Sequence, residues 1–337
     1  MTERTGGIRP RAIRHRAIRP QAIRQTGTAV VTAGLAVLLA GCAPGTDAPA
    51  TATAPSTAAA AFEHIHGLGA DPATGQTYAG THEGVWVIPT WALPDSYLAG
   101  APRSGATALT RTEGPVFDAM GFTVAPSGLL LASGHPDPGQ KSALTGPNLG
   151  LVSSADAAAN WASVSLAGQT DFHDLDAVPL ASGALRIFGY DAADGTVAVS
   201  DDDGATWAAG ATLALRDLAA DPANPDRVFA TTADGLAVSD DAGRTFAPMT
   251  DAPTLVLIDV VDAAAGGGLV GVDPDGRLWH QAAAAGPWAR DGQADGTPEA
   301  LSFVGGSSPW ILAADQRGVV ASDDYGRTWT VLVPSRA

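Results

Sequence analysis

Five of the seven histidines fall in short segments that also carry carboxylates or polar turns. These are His64 and His66 in His-Ile-His-Gly, His82 beside Glu83, His135 in Ser-Gly-His-Pro-Asp, and His173 between Asp171 and Asp174. The remaining two are His15, in a basic N-terminal stretch, and His280. Imidazole is neutral or protonated near physiological pH and is the commonest nitrogen ligand for zinc, copper, iron and nickel. His66, His82, His135 and His173, with carboxylates from neighbouring loops, are therefore candidate ligands for a divalent transition metal. The same side chains, with His64 and Arg216, can instead hydrogen-bond a small polar ligand such as a glycan. Two carboxyl groups flanking a glycosidic bond can divide acid and base roles between them, which makes Glu83, Asp171, Glu299 and Tyr190 candidate catalytic residues. No spacing among the histidines matches a short metal motif, so both chemistries stay open.

These segments recur at one place in a repeat. Ser200-Asp-Asp202-Asp-Gly204-Ala-Thr206-Trp207 is matched by Ser239-Asp-Asp241-Ala-Gly243-Arg-Thr245-Phe246 and by Ser322-Asp-Asp324-Tyr-Gly326-Arg-Thr328-Trp329. Eroded copies end in Trp161 and Trp288. Upstream of each lies a glycine followed by alternating apolar residues, beginning at Gly84, Gly150, Gly195, Gly235, Gly276 and Gly318. Further upstream lies a third shared strand, in six copies that start at Ile65, Val116, Phe172, Leu215, Leu257 and Ala300. Six units of about 40 residues, each with four short strands, predict an all-β six-bladed β-propeller. Residues 90–110 read as a long outer strand and loop of the first blade, not as a seventh. On this register the five histidines, Arg216, Glu299 and Tyr190 fall on the rim where inner strands begin and second strands end. Asp118, Asp174, Asp217 and Asp259 share one inner-strand position in four of the six copies and are read as structural. In the Ser-x-Asp turns, Asp202, Asp241 and Asp324 accept backbone N–H bonds and the glycine permits a left-handed residue, so these carboxylates are structural too. The stretch between His135 and Asn148, which holds Lys141, the chain's one lysine, reads as either a lid or a tolerated insertion.

Composition agrees with a strand-rich chain. Of 337 residues, 40 are glycine and 24 proline, and only 16% are charged, which argues against a helical bundle. One cysteine leaves no disulfide framework and no cysteine-based zinc site. Seven of the 19 basic residues and one of the 35 acidic ones lie in the first 24 positions, leaving 12 basic and 34 acidic residues from Cys42 onward, a net charge near −22. Such a surface repels nucleic acid. The basic start, the short apolar run Thr28–Ala40 and the small residues before Cys42 form an export signal over residues 1–41. Residues 42–61, rich in Ala, Thr and Pro, read as a flexible tether. The propeller is expected over 62–337.

Leu39-Ala40-Gly41-Cys42 resembles the lipobox of bacterial lipoproteins. That resemblance implies lipidation of Cys42 and retention on the extracytoplasmic face of the cell membrane. The Ser-x-Asp-x-Gly-x-Thr-Trp pattern resembles the Asp-box, or BNR repeat, of sialidases and related propellers. Residues 62–330, through His64-Ile-His66-Gly67-Leu68, Met120-Gly-Phe-Thr-Val124, Ser133-Gly-His135-Pro-Asp137, Asp171-Phe-His173 and Gly189-Tyr190-Asp191, resemble exported bacterial proteins catalogued as sialidase-like BNR glycosyl hydrolases. Sialidases clamp a carboxylate with three arginines and pair a tyrosine nucleophile with a glutamate. Here the arginine motif near the first blade is missing, Arg186-Ile-Phe being the nearest text, and Arg244 and Arg327 lie inside the Ser-x-Asp turns. The resemblance therefore points to a non-sialic-acid specificity if the protein is a hydrolase at all. Asp-box propellers similar to photosystem assembly factors and sorting receptors bind polypeptides, which adds a scaffold role with a protein partner as a further expectation.

Overall fold

The computed structural model describes residues 64–98, 106–139, 142–283, 285–305 and 310–335. The export signal, Cys42, the tether and His15 lie outside the described residues. Among those described, 24 strands form six four-stranded antiparallel sheets, each built from consecutive strands. The innermost strands are Ile65–Ala70, Phe117–Val124, Phe172–Pro179, Leu215–Ala220, Leu257–Val260 and Ala300–Gly305, in blades one to six. Each packs beside the inner strand of the next blade, and the sixth packs against the first. The chain is thus a six-bladed β-propeller, and no helix among its described residues is long and apolar enough to cross a membrane.

Alternation explains the blades. In the second strand of blade three, Leu185–Asp191, Phe188 and Tyr190 straddle Gly189 and face blade four, where they meet Leu218, Val228 and Ala230. Ile187 faces blade two and packs with Leu131, Leu151 and Phe172. Both faces of a blade are buried, so apolar side chains point both ways, each fully buried large one contributing about 1.5–3 kcal/mol. Glycines sit where backbones approach. A Cβ on Gly67 would lie 2.4 Å from the carbonyl oxygen of Phe122 in the next blade.

The outer turns repeat one hydrogen-bond pattern. Asp202 Oδ1 accepts from the Thr206 N–H at 2.8 Å and Oδ2 from the Thr206 hydroxyl at 2.7 Å, while the Gly204 N–H donates to Ser200 Oγ at 2.9 Å. Asp241 and Asp324 repeat it, and the eroded copy keeps it with Asn160 in place of Thr, bonded to Asp156 at 2.8 Å. These bonds, first among them the one from the Thr245 hydroxyl, hold the Asp241 carboxyl down to about 2.

Blades are bolted together at the channel. Asp174 Oδ1 accepts the N–H of Leu175, and its other oxygen accepts that of Leu218 in the next blade. Asp176 reaches Ala220 in the same way, Asp217 reaches Ile258, and Asp259 reaches Phe303. The ring position read as structural is therefore structural in blades three, four and five. Enclosure in the narrow lumen disfavours charge, which lifts Asp174 to about 7, Asp176 to about 6 and Asp259 to about 8, and pushes Asp217 well up.

Among the described residues no blade borrows a strand from the other end of the chain, and closure is by packing. Ile65, Leu68, Ala79 and Ile88 of blade one meet Ala300, Leu312 and Val319 of blade six. The Ile65 N–H also donates to Glu299 Oε2 at 3.0 Å. Among the described residues of this stretch, the long outer strand expected in 90–110 is reduced to Thr110–Arg111. Pro89 and Pro94 have no N–H to donate to a strand ladder, and the loop from Pro89 to Leu98 instead buries Leu93, Tyr97 and Leu98 in the closing seam. There Tyr97 shares a hydrogen bond with Thr77 at 2.7 Å and meets Trp310 edge-on.

Two outcomes follow. The lumen carboxyls have folded-state values above their unfolded value, so their stabilising contribution is complete below about pH 4 and is lost as pH rises through about 6 to 8. The melting temperature should fall over that window, and Asp259→Asn should flatten the fall; an unchanged slope would contradict the assignment. Glu299→Ala should lower stability by about 1 kcal/mol through loss of the closing hydrogen bond. Thermal melts of the variant showing no change would remove Glu299 from the closure.

Candidate metal centre at the channel mouth

Three inner strands carry an extra residue at their first turn of pairing. In blade one, Ile65 pairs with Thr81 and Gly67 with Gly80, which leaves His66 between them without a partner. In blade three, Phe172 pairs with Asp191 and Asp174 with Tyr190, leaving His173. In blade four, Leu215 pairs with Thr232 and Asp217 with Thr231, leaving Arg216. A bulged residue has its side chain re-aimed out of the strand's alternation. Three bulges thus stand at the same end of the channel, where the turns holding His82 and His135 also lie.

His66, His82 and Asp118 converge. His66 Nε2 lies 3.4 Å from His82 Nδ1, His82 Nδ1 lies 2.8 Å from Asp118 Oδ1, and His66 Nε2 lies 3.8 Å from the same oxygen. All three atoms fall within 4.8 Å of one another. The His66 side chain is only 11% exposed. Burial, aided by the neighbouring His64 and His82, holds its pKa down to about 3, so the ring stays neutral and keeps a lone pair to donate. His64 packs edge-on against His66 and stacked on His82, but its Nδ1 bonds Glu299 at 2.9 Å and does not enter the group.

Asp118 corrects the expectation that it joins the structural ring. The N–H at the matching position in blade three, that of Leu175, bonds Asp174 Oδ1 at 2.8 Å, and Ser133 Oγ accepts the Phe172 N–H at 2.8 Å. Asp118 instead turns back to the histidines of blade one. Nothing at its own position in the repeat signals this.

His135, Asp171 and His173 form a second group across the seam of blades two and three. Both histidine Nε2 atoms lie 3.0 Å from Asp171 Oδ2. The hydrogen bond to Asp171 raises the pKa of His173. The two groups are neighbours, since His66 feels the charges of Asp171 and His173. His135 Nδ1 also bonds the carbonyl of Pro147 at 2.9 Å, and the Leu149 N–H bonds that of Gly134 at 2.8 Å. With Leu144 buried in the core of blade two, the described part of the 135–148 stretch is anchored to its own blade; Gln140 and Lys141 lie outside the described residues.

Other candidates stand apart. Tyr190 is buried between blades three and four and does not reach the mouth, because strand alternation turns it into the seam with Phe188. Glu299 is engaged by Ile65 and His64, as described above. Glu83 follows a turn capped by Thr81 Oγ1, and its Oε2 is buried without a hydrogen-bond partner. Arg216 extends to the carbonyl of Pro298 at 3.2 Å, spanning from blade four to the approach of blade six. Arg186 is paired with Asp201 and Asp226, Arg317 with Asp315, and Arg327 with Asp291, so none of them offers a free fork for a substrate carboxylate. His280 pairs with Asp291 and stacks on Tyr325 between blades five and six.

No family model matches this sequence, and no curated protein matches it. Solved structures do. A nidogen/laminin complex aligns with a TM-score of 0.51 at 13% identity, over 75% of this chain and 90% of that one. A GH74 xyloglucanase from Xanthomonas campestris aligns at 0.48 and 16% identity, and YCF48 bound to a D1 peptide at 0.46 and 14%, each over 82% of this chain. The xyloglucanase is longer, and this chain spans 54% of it, whereas it spans 81% of YCF48. At such identities the likeness shows the fold alone: the chain is similar to β-propellers of several different activities.

Proposed function

We propose that this propeller is an exported, lipid-anchored protein that binds a divalent transition metal at its channel mouth through His66, His82 and Asp118. The observation that carries the reading is the convergence of two imidazole nitrogens and one carboxylate oxygen from two blades within 4.8 Å. A metal held about 2.0–2.2 Å from each donor needs ligand atoms about 3–3.5 Å apart, close to the separations already present. Two imidazoles and a carboxylate suit zinc, copper, iron or nickel and leave positions open for water or a ligand. The lipobox resemblance at Cys42 supports the membrane anchor, and the Asp-box resemblance of the outer turns supports kinship with exported propellers. A glycoside hydrolase reading has less support, because Tyr190 is buried and Glu299 is committed to the ring.

Calorimetric titration of the full chain with zinc at pH 7.5 tests the centre. His66→Ala or Asp118→Asn should weaken binding at this site on the order of 100-fold. Wild-type affinity in both variants would sink the reading. The anchor is tested separately: fatty-acid labelling of the protein in its host should be abolished by Cys42→Ser, and equal labelling of that variant would refute lipidation there.

A further inference from the structure

We infer that the seam of blades four and five holds a binding site for a neutral, largely aromatic ligand with one hydrogen-bond donor. It lies on the face opposite the histidine mouth, between the turns that join first and second strands in the two blades. The cavity there has a volume of about 390 Å³, and Phe229, Val238, Met249, Val261 and Leu269 wall it. Two turns of blade five leave the space open. One is Ala263-Ala-Ala-Gly266-Gly-Gly268, and a Cβ on Gly268 would lie 2.7 Å from the Gln281 carbonyl oxygen. The other is the eroded Ser-x-Asp turn, where, counting back from Trp288, Ala283 replaces the aspartate and Ala285 the glycine.

Gln281, at the serine position of that turn, sets the chemistry. In blade four the matching Ser239 is satisfied on both sides: its hydroxyl donates to Asp241 Oδ1 at 2.8 Å and accepts the Gly243 N–H at 2.8 Å. Gln281 also lines the cavity and is only 5% exposed. Its amide nitrogen donates to the Gly286 carbonyl at 3.2 Å, but among the described residues its Oε1 accepts nothing. A buried acceptor left without a donor is destabilising, and a ligand N–H or O–H at this wall removes that cost. Charge narrows the class further. Arg227 is held by Asp240 at 2.7 Å and faces Asp221 at 4.0 Å, so two acids outnumber the one base and a carboxylate ligand finds no free fork. Apolar walls equally disfavour an ammonium. A cavity of about 150 Å³ holds benzene, so this one has room for a body of about two fused rings. Phe229 and Met249 supply the aromatic and thioether contacts that such rings favour.

The probes are indole, its isostere benzofuran, which lacks the N–H, and indole-3-carboxylate, each titrated into the full chain and followed by ligand-observed NMR. Indole should bind about 5- to 10-fold more tightly than either of the others. Gln281→Met keeps the length of the side chain and removes the acceptor, so indole should fall to the benzofuran level while benzofuran is unchanged. Val238→Trp fills the cavity and should abolish binding of both, with folding checked by circular dichroism. Equal binding of indole and benzofuran to the wild type, or an indole advantage that survives Gln281→Met, would overturn the inference. So would undiminished binding to folded Val238→Trp, which would put the ligand elsewhere. Indole-3-carboxylate binding as tightly as indole, or no binding of indole at all, overturns it as well. If Val238→Trp does not fold, the ratio of indole to benzofuran affinity in Gln281→Met still decides.

Discussion

The inner edge of each blade sets the problem that the rest of the structure answers. A propeller turns six strand edges toward a common channel, and an edge carries backbone N–H groups with no ladder partner. Here the preceding blade supplies the acceptors. Asp174, Asp217 and Asp259 each send a carboxylate oxygen across the seam to an N–H of the next inner strand, and Asp176 adds a second bolt below Asp174. At the closing seam Glu299 does the same for Ile65. The same groups satisfy the edges and lock the blades, which is how the ring closes without a shared strand. Apolar packing supplies the bulk of the energy, and the carboxylates fix the angle at which it is delivered.

The candidate site arises where this scheme departs from its pattern. Between blades two and three the Ser133 hydroxyl accepts an N–H across the seam, and Asp118 turns toward blade one. Bulges at His66 and His173 then turn two imidazoles out of the strand alternation and toward the mouth. A strict repeat would have placed an apolar residue or a bolted aspartate at each of these points. Departures from local rules that the surrounding structure supports are where function is expected.

Much of this was legible in the chain itself. Three Ser-x-Asp turns at regular spacing, and a glycine ahead of alternating apolar residues in every unit, required four-stranded blades and set their number. Histidines clustered in blades one to three marked the mouth, because the repeat register says which end of a strand they occupy. Other features depended on contacts between distant segments. Asp118 looked identical to its ring counterparts, and only its contacts with His66 and His82, on another blade, reassign it. Tyr190 was placed at the rim by its position near a strand end, whereas alternation buried it in the seam. The bulges are also invisible to periodicity, since each is a one-residue shift defined by its partner strand. The short outer strand of blade one could have been suspected from Pro89 and Pro94, but the burial of Tyr97 against Trp310 could not.

The electrostatics of the channel tie the two departures together. Enclosure disfavours charge on any group, and its effect on a ligand depends on the group's sign. For His66 it suppresses protonation and preserves a donor; for Asp174, Asp176 and Asp259 it favours the protonated acid, which is a poor one. A metal ion must find deprotonated ligands. The lumen below the mouth, a cavity of about 70 Å³ lined by these acids, is a weaker cation site than ordinary carboxylates would make it, because burial favours their protonated form. The acidic exterior still raises the local concentration of cations at the surface. One physical condition, a narrow channel walled by strand edges, thus accounts for acids that serve the fold and imidazoles that stay available at its entrance.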